Sequence, residues 1–333
     1  MLVEAILQRI TPDVSLVVVM GDTLDRFGDI KTAPLTLAIS FLHRLSELVK
    51  TVLIIGNHDL PHKCCDPRDN HPFTALHYWG PRMVVADYPI QLEVEGMVFT
   101  FAPYYEPGQL IPKLDSTIPE WRNSRAVFGH QELHCISYGG GAENKGDKWE
   151  LQFPLAVMGH IHDHCRPISN VLYVGASMQR AFNEQPNKTI SLLKFECCES
   201  GAISAGNMEN VNWSEERISL GLPSLVQITI SASEVPSFQP PGNCRLKLTI
   251  QGTEAELATL RQHPQVLKWR EQQIRVNLNP QKKQAFRNDL TPQRQFLCYG
   301  QMLEREVSND DALREIFRDL FQSCTLPDIR ATV

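Results

Sequence analysis

Gly21-Asp22-Thr23-Leu24-Asp25-Arg26 is the stretch that decides the fold, because the apolar run 16–20 (LVVVM) leads directly into it. Such a run without polar alternation predicts a strand covered on both faces, as in the sheets of α/β proteins. Ligands of open α/β sheets bind outside the carboxyl ends of the strands, so residues after such strands are expected to meet at one edge. Three more strings follow apolar runs in the same way: Gly56-Asn57-His58-Asp59 after 52–55, Gly129-His130 after 126–128, and Gly159-His160-Ile161-His162 after 156–158.

The residue types in these strings suit a metal site. Carboxylate, amide oxygen and imidazole groups hold divalent ions such as Mn²⁺, Fe²⁺ or Zn²⁺. Two such ions, about 3.5–4 Å apart, activate a water and clamp the phosphoryl oxygens of an in-line displacement, so that no covalent nucleophile is needed. Each string alone is a weak signal, since a Gly-His pair mostly occurs by chance and Gly-Asn-His-Asp also fits a turn. The ordered set of four favours the metal site.

The ordered set resembles the calcineurin-like metallophosphoesterase superfamily, whose pattern is D-x-H, G-D-x-x-D-R, G-N-H-D/E, G-H and G-H-x-H. The resemblance implies a four-layer α/β sandwich with mostly buried strands, and two divalent ions with Mn²⁺ as the expected metal. It implies that Asp22 bridges both ions. Asn57, His130 and His160 would complete one ion site, and His162 would belong to the other.

The same resemblance gives His58 a different role. This residue would not be a ligand but would sit over the phosphate as general acid or charge stabiliser. Either Asp59 or Asp25 would be the partner that fixes its ring and raises its pKa.

The D-x-H string of the family pattern is missing ahead of Gly21. Met1 opens into Leu2, Ala5, Ile6 and Ile10, a helical spacing that ends at Pro12. We expect the second ion to be held weakly, because only Asp22 and His162 remain for it. The sequence favours a chain that begins late; a natural variant is the alternative.

A second resemblance narrows the substrate. The segment 170–184 (NVLYVGASMQRAFNE) is similar to SbcD-type exonuclease subunits, in which a strand ends in Gly-Ser and a short stretch ends in Phe and Glu. Arg180 is the candidate for a DNA-phosphate contact there. The alternative is that the Gly-Ala-Ser turn only closes the sheet.

Prolines and glycines at 223, 236 and 240–242 indicate a domain boundary. Beyond it, Leu246, Leu248 and Ile250 alternate with polar residues as in a half-buried strand, and Thr253 with Glu256 predicts a capping box. This small β-α-β pattern resembles the capping domain of SbcD-type nucleases. We therefore predict a phosphoesterase domain over 1–222, a small α+β capping domain over 223–295 and a C-terminal helical segment over 296–333.

A basic stretch lies within the predicted capping domain. Between residues 261 and 294 there are eight Lys or Arg against two acidic residues, although the whole chain has a net charge of −6. Such a stretch can follow phosphates, and Trp269 or Phe286 could stack on exposed bases; a solvated face is the alternative. The candidate DNA contacts are Lys268, Arg270, Lys282 and Lys283.

Residues 308–321 have one apolar stripe at helical spacing. In SbcD-type enzymes a C-terminal helical segment docks on an ATPase of the SbcC or Rad-fifty type, so the resemblance implies such a partner and also a homodimer. Packing on its own domain is the alternative for this helix.

Composition is that of an ordinary globular chain of 333 residues, with 42% hydrophobic and 21% charged residues. No apolar stretch approaches the about 20 residues of a membrane span, and no signal peptide is recognisable. Nine cysteines without a C-x-x-C spacing favour reduced thiols. We expect a cytoplasmic protein, in the host cytoplasm if a phage encodes it.

The predicted function is an Mn²⁺-dependent DNA exonuclease and endonuclease subunit in repair or recombination, with metal-activated water as nucleophile. One alternative is a phosphodiesterase or phosphatase acting on a small molecule or phosphoprotein. Another is a catalytically silent subunit that holds DNA or a partner.

Overall fold

The computed structural model describes residues 1–25, 28–62, 66–68, 70–136, 145–196 and 213–280. The chain forms two compact units: Met1–Gln227 with Gln239–Lys247, and Ile228–Phe238 with the chain from Leu248 onward. The predicted domain limits at 222 and 295 stay predictions. The described α-helices are α1 Leu2–Leu7, α2 Thr32–Leu48, α3 Leu110–Thr117, α4 Glu254–Leu260 and α5 Pro264–Glu271, with 3₁₀ turns at Asn57–Asp59, Thr74–Tyr78, Pro119–Asn123 and Ala232–Glu234.

The described strands form four separate sheets. In chain order the described strands are β1 Val17–Val19, β2 Thr51–Ile54, β3 Met83–Ala86, β4 Ile90–Val94, β5 Met97–Ala102, β6 Ala126–Gly129, β7 Leu155–Met158, β8 Cys165–Ile168, β9 Val171–Tyr173, β10 Ile190–Phe195, β11 Trp213–Ile218, β12 Ser224–Ser231, β13 Cys244–Gly252 and β14 Arg275–Pro280. Strands β1, β2 and β3 make a parallel sheet in that order. A six-stranded sheet has the order β4-β5-β6-β7-β9-β8, with β5, β6, β7 and β9 parallel, while β10 and β11 pair antiparallel.

Alternate residues of β2 explain why its sequence shows no polar alternation. Val52 and Ile54 pack in the cluster that also contains Phe101 and Phe128 of the six-stranded sheet, so this side of β2 faces that sheet. Leu53 packs on the other side, with residues of α2. Across the six-stranded sheet, a third cluster joins β6 and β7 to α3. The result is a four-layer arrangement of helix, sheet, sheet and helix, which confirms the predicted fold class.

All four predicted strands are present as β1, β2, β6 and β7, and the last three are buried at every position. Strand β1 differs, because its three residues are only half-buried. The predicted N-terminal helix is also shorter than its spacing indicated. It ends at Leu7 rather than reaching Ile10, and none of its residues is buried to hold a longer helix in place.

The four strings meet at one edge as expected, but their strands belong to two sheets rather than to a single open sheet. Strands β1 and β2 belong to the three-stranded sheet, whereas β6 and β7 belong to the six-stranded sheet. The strings meet because these sheets pack face to face with carboxyl ends on the same side. One link within this edge is the hydrogen bond from Gly159 N–H to the carbonyl of Gly129.

The elements predicted for the C-terminal third are present among the described residues. Leu246, Leu248 and Ile250 are the buried positions of β13. Thr253 caps α4, and its backbone N–H donates to Glu256, as the capping box predicts. Strands β12, β13 and β14 form one sheet in that order. The predicted helix over 308–321 lies outside the described residues.

Among the described helices, none combines the length and apolar character needed to cross a bilayer.

Candidate metal centre

Four of the predicted ligands come together where the strands end. Asp22 follows β1, Asn57 follows β2, His130 follows β6 directly and His160 follows β7 after one glycine. Asn57 and His130 are both 2% exposed, so the centre is closed on the side that they form. One donor atom each from Asp22, His130 and His160 lies within 4.8 Å of the others.

The distances between the donor atoms suit a single ion. His130 Nε2 is 3.1 Å from Asn57 Oδ1 and 3.2 Å from Asp22 Oδ2. His160 Nδ1 is 3.0 Å from Asn57 Oδ1 and 3.3 Å from His130 Nε2. Donors at about 2.0–2.2 Å from a divalent ion are themselves separated by about 2.8–3.6 Å in octahedral or tetrahedral arrangements. The four donors therefore fit around one divalent ion.

Hydrogen bonding of His130 defines which of its nitrogens could bind the ion. Its Nδ1 lies 2.6 Å from the carbonyl oxygen of Met20, which only accepts, so Nδ1 carries the hydrogen and Nε2 the lone pair. That lone pair faces the oxygens of Asn57 and Asp22, both acceptors. Such a convergence of acceptors requires a cation, either a proton on His130 or a metal ion.

Electrostatics of the centre follow from burial and from the His130–Asp22 pair. Burial acts to raise the pKa of Asp22, but His130 and His58 together outweigh it and lower that pKa to about 2. Burial acts to lower the pKa of His130, and Asp22 raises it above its ordinary value. Burial and the neighbouring His130 lower the pKa of His160 to about 4, so this ring is neutral at physiological pH.

Two of the ligands have the left-handed backbone conformation that is uncommon for residues with a side chain. The φ angle is 51° at Asp22 and 77° at His160. Side-chain-bearing residues in this region commonly lie at functional sites, where the surrounding structure holds the strain. Asp22 is held by a bond from the backbone N–H of His58 to its Oδ1, at 2.9 Å.

Glycines before the ligands allow the backbones to approach each other. A Cβ on Gly56 would lie 2.2 Å from the backbone nitrogen of Asp22, and a Cβ on Gly159 would lie 2.3 Å from the carbonyl oxygen of Met20. Neither backbone position could accommodate a methyl group without moving. The glycines thus keep the ligand-bearing turns in contact.

The ring of His58 contacts a backbone group of Asp25, one of its two predicted partners. Its Nδ1 lies 2.8 Å from the backbone carbonyl oxygen of Asp25. The carboxylate of Asp59 instead accepts the backbone N–H groups of Leu24 and Gly56, both at 2.9 Å. Burial raises the pKa of Asp59 to about 6, although these two donors oppose the change. Asp59 therefore joins the two ligand loops, and the catalytic role of His58 stays a prediction.

His162 lies two residues after His160 in the sequence, but its ring is hydrogen-bonded to a glutamate. Its Nδ1 is 3.0 Å from Glu184 Oε1. The described residues that the sequence assigns to a second ion are this histidine and Asp22. The donor set for that ion is thus smaller than the one around Asn57 and His130.

The predicted DNA contacts are spread over the chain. Arg180 has its guanidinium 3.7 Å from the Asp25 carboxylate, next to the carbonyl that holds His58. Lys268 and Arg270 are exposed on α5 of the second unit. Lys282 and Lys283 lie outside the described residues.

The suggestion that Trp269 stacks on bases was wrong, and Phe286 lies outside the described residues. Trp269 is 1% exposed and packs edge-on against Phe238, with ring centroids 5.6 Å apart. It is a core residue of the second unit.

Two residues that support the centre were not assigned this role from the sequence. Tyr104 stacks on His160 with ring centroids 6.0 Å apart. Glu184 is the last residue of the SbcD-like segment 170–184. That segment is the sequence signal that could have indicated its supporting role. Tyr104 had no such signal.

Another cluster, His71, His77 and Asp87, has donor atoms close together. The Nδ1 of His71 accepts the backbone N–H of Phe73 at 3.1 Å, so its Nε2 carries the hydrogen and donates to Asp87. With its Nε2 protonated, His71 has no lone pair to offer a metal. We interpret this cluster as a structural hydrogen-bond network.

Comparison with known proteins agrees with the ordered ligands. The family model for the calcineurin-like phosphoesterases matches residues 2–164, which contain all five candidate ligands. Residues 2–164 are therefore similar in sequence to the calcineurin-like phosphoesterases. The chain also has viral relatives. The chain is 29% identical to Putative phosphoesterase 244L of Invertebrate iridescent virus 6 over 250 residues, covering 74% of this chain and 85% of that protein.

A second relative is Putative phosphoesterase 078R of Invertebrate iridescent virus 3. The identity is 34% over 182 residues, covering 54% of this chain and 52% of that protein. The family and the names of the two relatives support a metal-dependent hydrolase that cleaves phosphoesters.

Proposed function

We propose that this phosphoesterase hydrolyses phosphodiester bonds in DNA, as an Mn²⁺-dependent nuclease in repair or recombination. The observation that carries the hydrolytic part is the convergence of Asp22, Asn57, His130 and His160 with donor atoms 3.0–3.3 Å apart. Divalent ions bound there would supply Lewis-acid activation of a water and neutralise charge on the phosphoryl oxygens.

Each residue of the centre has its own task in this proposal. Asp22, Asn57, His130 and His160 would hold the ion, and His130 is oriented through Met20. His58 is held by the Asp25 carbonyl, and its role is to donate a proton to the leaving oxygen or to stabilise charge on the phosphate.

The preference for DNA is supported by the position of Arg180. Its guanidinium reaches the loop that holds His58, so a phosphate above the centre would have a cation within range. Lys268 and Arg270 provide further exposed positive charge. The similarity of segment 170–184 to SbcD-type subunits points the same way.

Neutralising the basic residues tests the DNA part. Lys268→Gln and Arg270→Gln together should weaken binding of a DNA duplex and reduce the salt slope by about 0.9 for each DNA phosphate that is no longer neutralised. Hydrolysis of bis-p-nitrophenyl phosphate should be unchanged. Arg9→Gln with Lys148→Gln, also exposed basic residues, is the matched control. Equal DNA binding by all three proteins would favour a phosphodiesterase or phosphatase acting on a small molecule or phosphoprotein.

A silent DNA- or partner-binding subunit is the second candidate function. It is favoured by the smaller donor set for the second ion, Asp22 and His162. Titration with Mn²⁺ separates the two functions. One strong binding step, with no second step and no hydrolysis of DNA or small diesters, would support the silent subunit.

Partners and location belong to the same proposal. An ATPase of the SbcC or Rad-fifty type and a second copy of this chain are the proposed protein partners. Action in the cytoplasm, of the host in the case of a virus, fits the viral source of the two relatives. Co-purification with a candidate ATPase, abolished by deletion of 308–321, would test the first partner.

A further inference from the structure

Glu184 lies at the meeting point of two parts of the proposed site. Its Oε1 is 3.0 Å from His162 Nδ1, and its Oε2 accepts the backbone N–H of Arg180 at 2.9 Å. We infer that Glu184 is a positioning residue that fixes the ring of His162 for the second ion and the backbone of Arg180 for the substrate phosphate. This inference rests on the proposed two-ion function.

The partner of the His162 ring defines its tautomer. An ionised carboxylate accepts hydrogen bonds and does not donate them, so Nδ1 of His162 carries the hydrogen. The lone pair is then on Nε2, on the opposite side of the ring. Metal-binding histidines commonly use this arrangement, with the second ring nitrogen donating to a carboxylate.

The backbone of His162 is also held, by Lys188 and Ala176. The Nζ of Lys188 donates to the carbonyl oxygen of His162 at 2.6 Å, and the N–H of Ala176 donates to the same oxygen at 3.0 Å. The side chain of Lys188 is only 6% exposed, so this contact is enclosed. His162 is therefore fixed both at its ring and at its main chain.

Arg180 is held within a closed turn. Its backbone N–H is tied to Glu184, and the carbonyl of Glu184 accepts a bond from Gln179 Nε2 at 2.9 Å. These two bonds close the turn 179–184. The guanidinium of Arg180 extends from this turn to within 3.7 Å of Asp25. One carboxylate thus links the candidate ligand of the second ion to the candidate phosphate contact.

A matched pair nearby provides the control. His164 Nε2 lies 3.0 Å from both oxygens of Glu215, which also accepts from Ser191. This is again a histidine held by a half-buried carboxylate in the same unit. The family resemblance assigns no ligand role to His164.

The test of the tautomer uses the full chain without metal. In the wild type, each oxygen of Glu184 accepts one hydrogen bond, from His162 Nδ1–H and from Arg180 N–H. The amide of Glu184→Gln has a single acceptor oxygen, so it cannot serve both donors. Histidine ¹⁵N spectra, assigned with His162→Gln, should show Nδ1 protonated and Nε2 bare in the wild type. Glu184→Gln should show mixed tautomers at His162, and Glu215→Gln should leave His162 unchanged. A wild-type pattern in Glu184→Gln would overturn the inference.

The test of metal binding uses the electron paramagnetic resonance signal of free Mn²⁺. Loss of a residue that orients a ligand typically costs about 10–100-fold in metal affinity, and we expect this loss in the second binding step of Glu184→Gln. The first step, at Asn57 and His130, should be unchanged, and Glu215→Gln should keep both steps. An unchanged second step in Glu184→Gln would overturn the positioning role.

Failure of the proposed function gives a different result. A wild-type chain without any second Mn²⁺ step contradicts the two-ion function itself, and the ¹⁵N spectra then decide the orientation of His162 alone. Thermal unfolding of Glu184→Gln, compared with Glu215→Gln, verifies that both variants are folded.

Discussion

The Nδ1 of His130 lies 2.6 Å from the carbonyl oxygen of Met20, and this bond crosses between the two central sheets. Met20 directly follows β1 of the three-stranded sheet, and His130 directly follows β6 of the six-stranded sheet. The bond sets the tautomer that leaves Nε2 facing Asn57 and Asp22. A contact between two layers of the fold therefore prepares a ligand atom.

Replacing His130 should remove the strong metal site. His130→Gln takes away the nitrogen that is within 3.1–3.3 Å of Asn57, Asp22 and His160. Loss of a residue that merely orients a ligand costs about 10–100-fold in affinity, and we expect the loss of this ligand to reach at least that range. Isothermal titration with Mn²⁺ measures it. His43→Gln, on the exposed side of α2, should bind as the wild type does.

Adding a methyl group between the ligand loops should destabilise the protein. In Gly56→Ala the new Cβ would lie 2.2 Å from the backbone nitrogen of Asp22, so the two loops must separate. Overpacking of this kind costs about 1–3 kcal/mol in the free energy of unfolding. Urea denaturation measures the loss. Gly242→Ala is the control, because its Cβ would meet nothing within 4 Å; equal stability of the two variants would contradict the close approach.

Removing one acceptor from Asp59 should also weaken the fold. Both of its oxygens accept backbone N–H groups, and Asn can replace only one of them. A buried donor without a partner costs about 1–3 kcal/mol, so Asp59→Asn should lower the free energy of unfolding by that amount. Asp29→Asn, at an exposed position, should change it by less than about 0.5 kcal/mol. A wild-type denaturation midpoint for Asp59→Asn would refute this role.

Metal affinity should fall as the pH falls. Burial acts to lower the pKa of His130, but Asp22 raises it above its ordinary value, so at lower pH a proton occupies the Nε2 that the ion needs. Release of one proton per ion bound makes affinity drop about tenfold per pH unit below that pKa. Titration calorimetry in two buffers of different ionisation enthalpy counts the released protons. An affinity that stays constant from about pH 8 to about pH 6 would contradict the assignment of His130.

The sequence could indicate where the candidate ligands lie because a local rule fixes the position of each one. Asp22, Asn57, His130 and His160 each follow an apolar strand, with a glycine directly before the ligand, so the end of a strand places the side chain. Alternate burial of Val52 and Leu53 between two different clusters explains the unbroken apolar runs. The strands were therefore accessible from the sequence pattern, whereas the four-layer fold was implied by the resemblance to the metallophosphoesterases.

The features that the sequence missed depend on contacts between distant segments. His58 is held by the carbonyl of Asp25, and a carbonyl belongs to every residue and leaves no trace in the sequence. Glu184 reaches His162 only because the turn 179–184 closes upon it. Trp269 lies in a basic stretch, yet its ring is buried against Phe238 while Lys268 and Arg270 point outward.

The most direct test of the central claim is an anomalous-scattering map of a crystal soaked in Mn²⁺. The structure predicts a peak within about 2.0–2.3 Å of Asn57 Oδ1, His130 Nε2, His160 Nδ1 and an oxygen of Asp22. A well-ordered map with these side chains in place and no peak among them would contradict the assignment of this centre as a metal site.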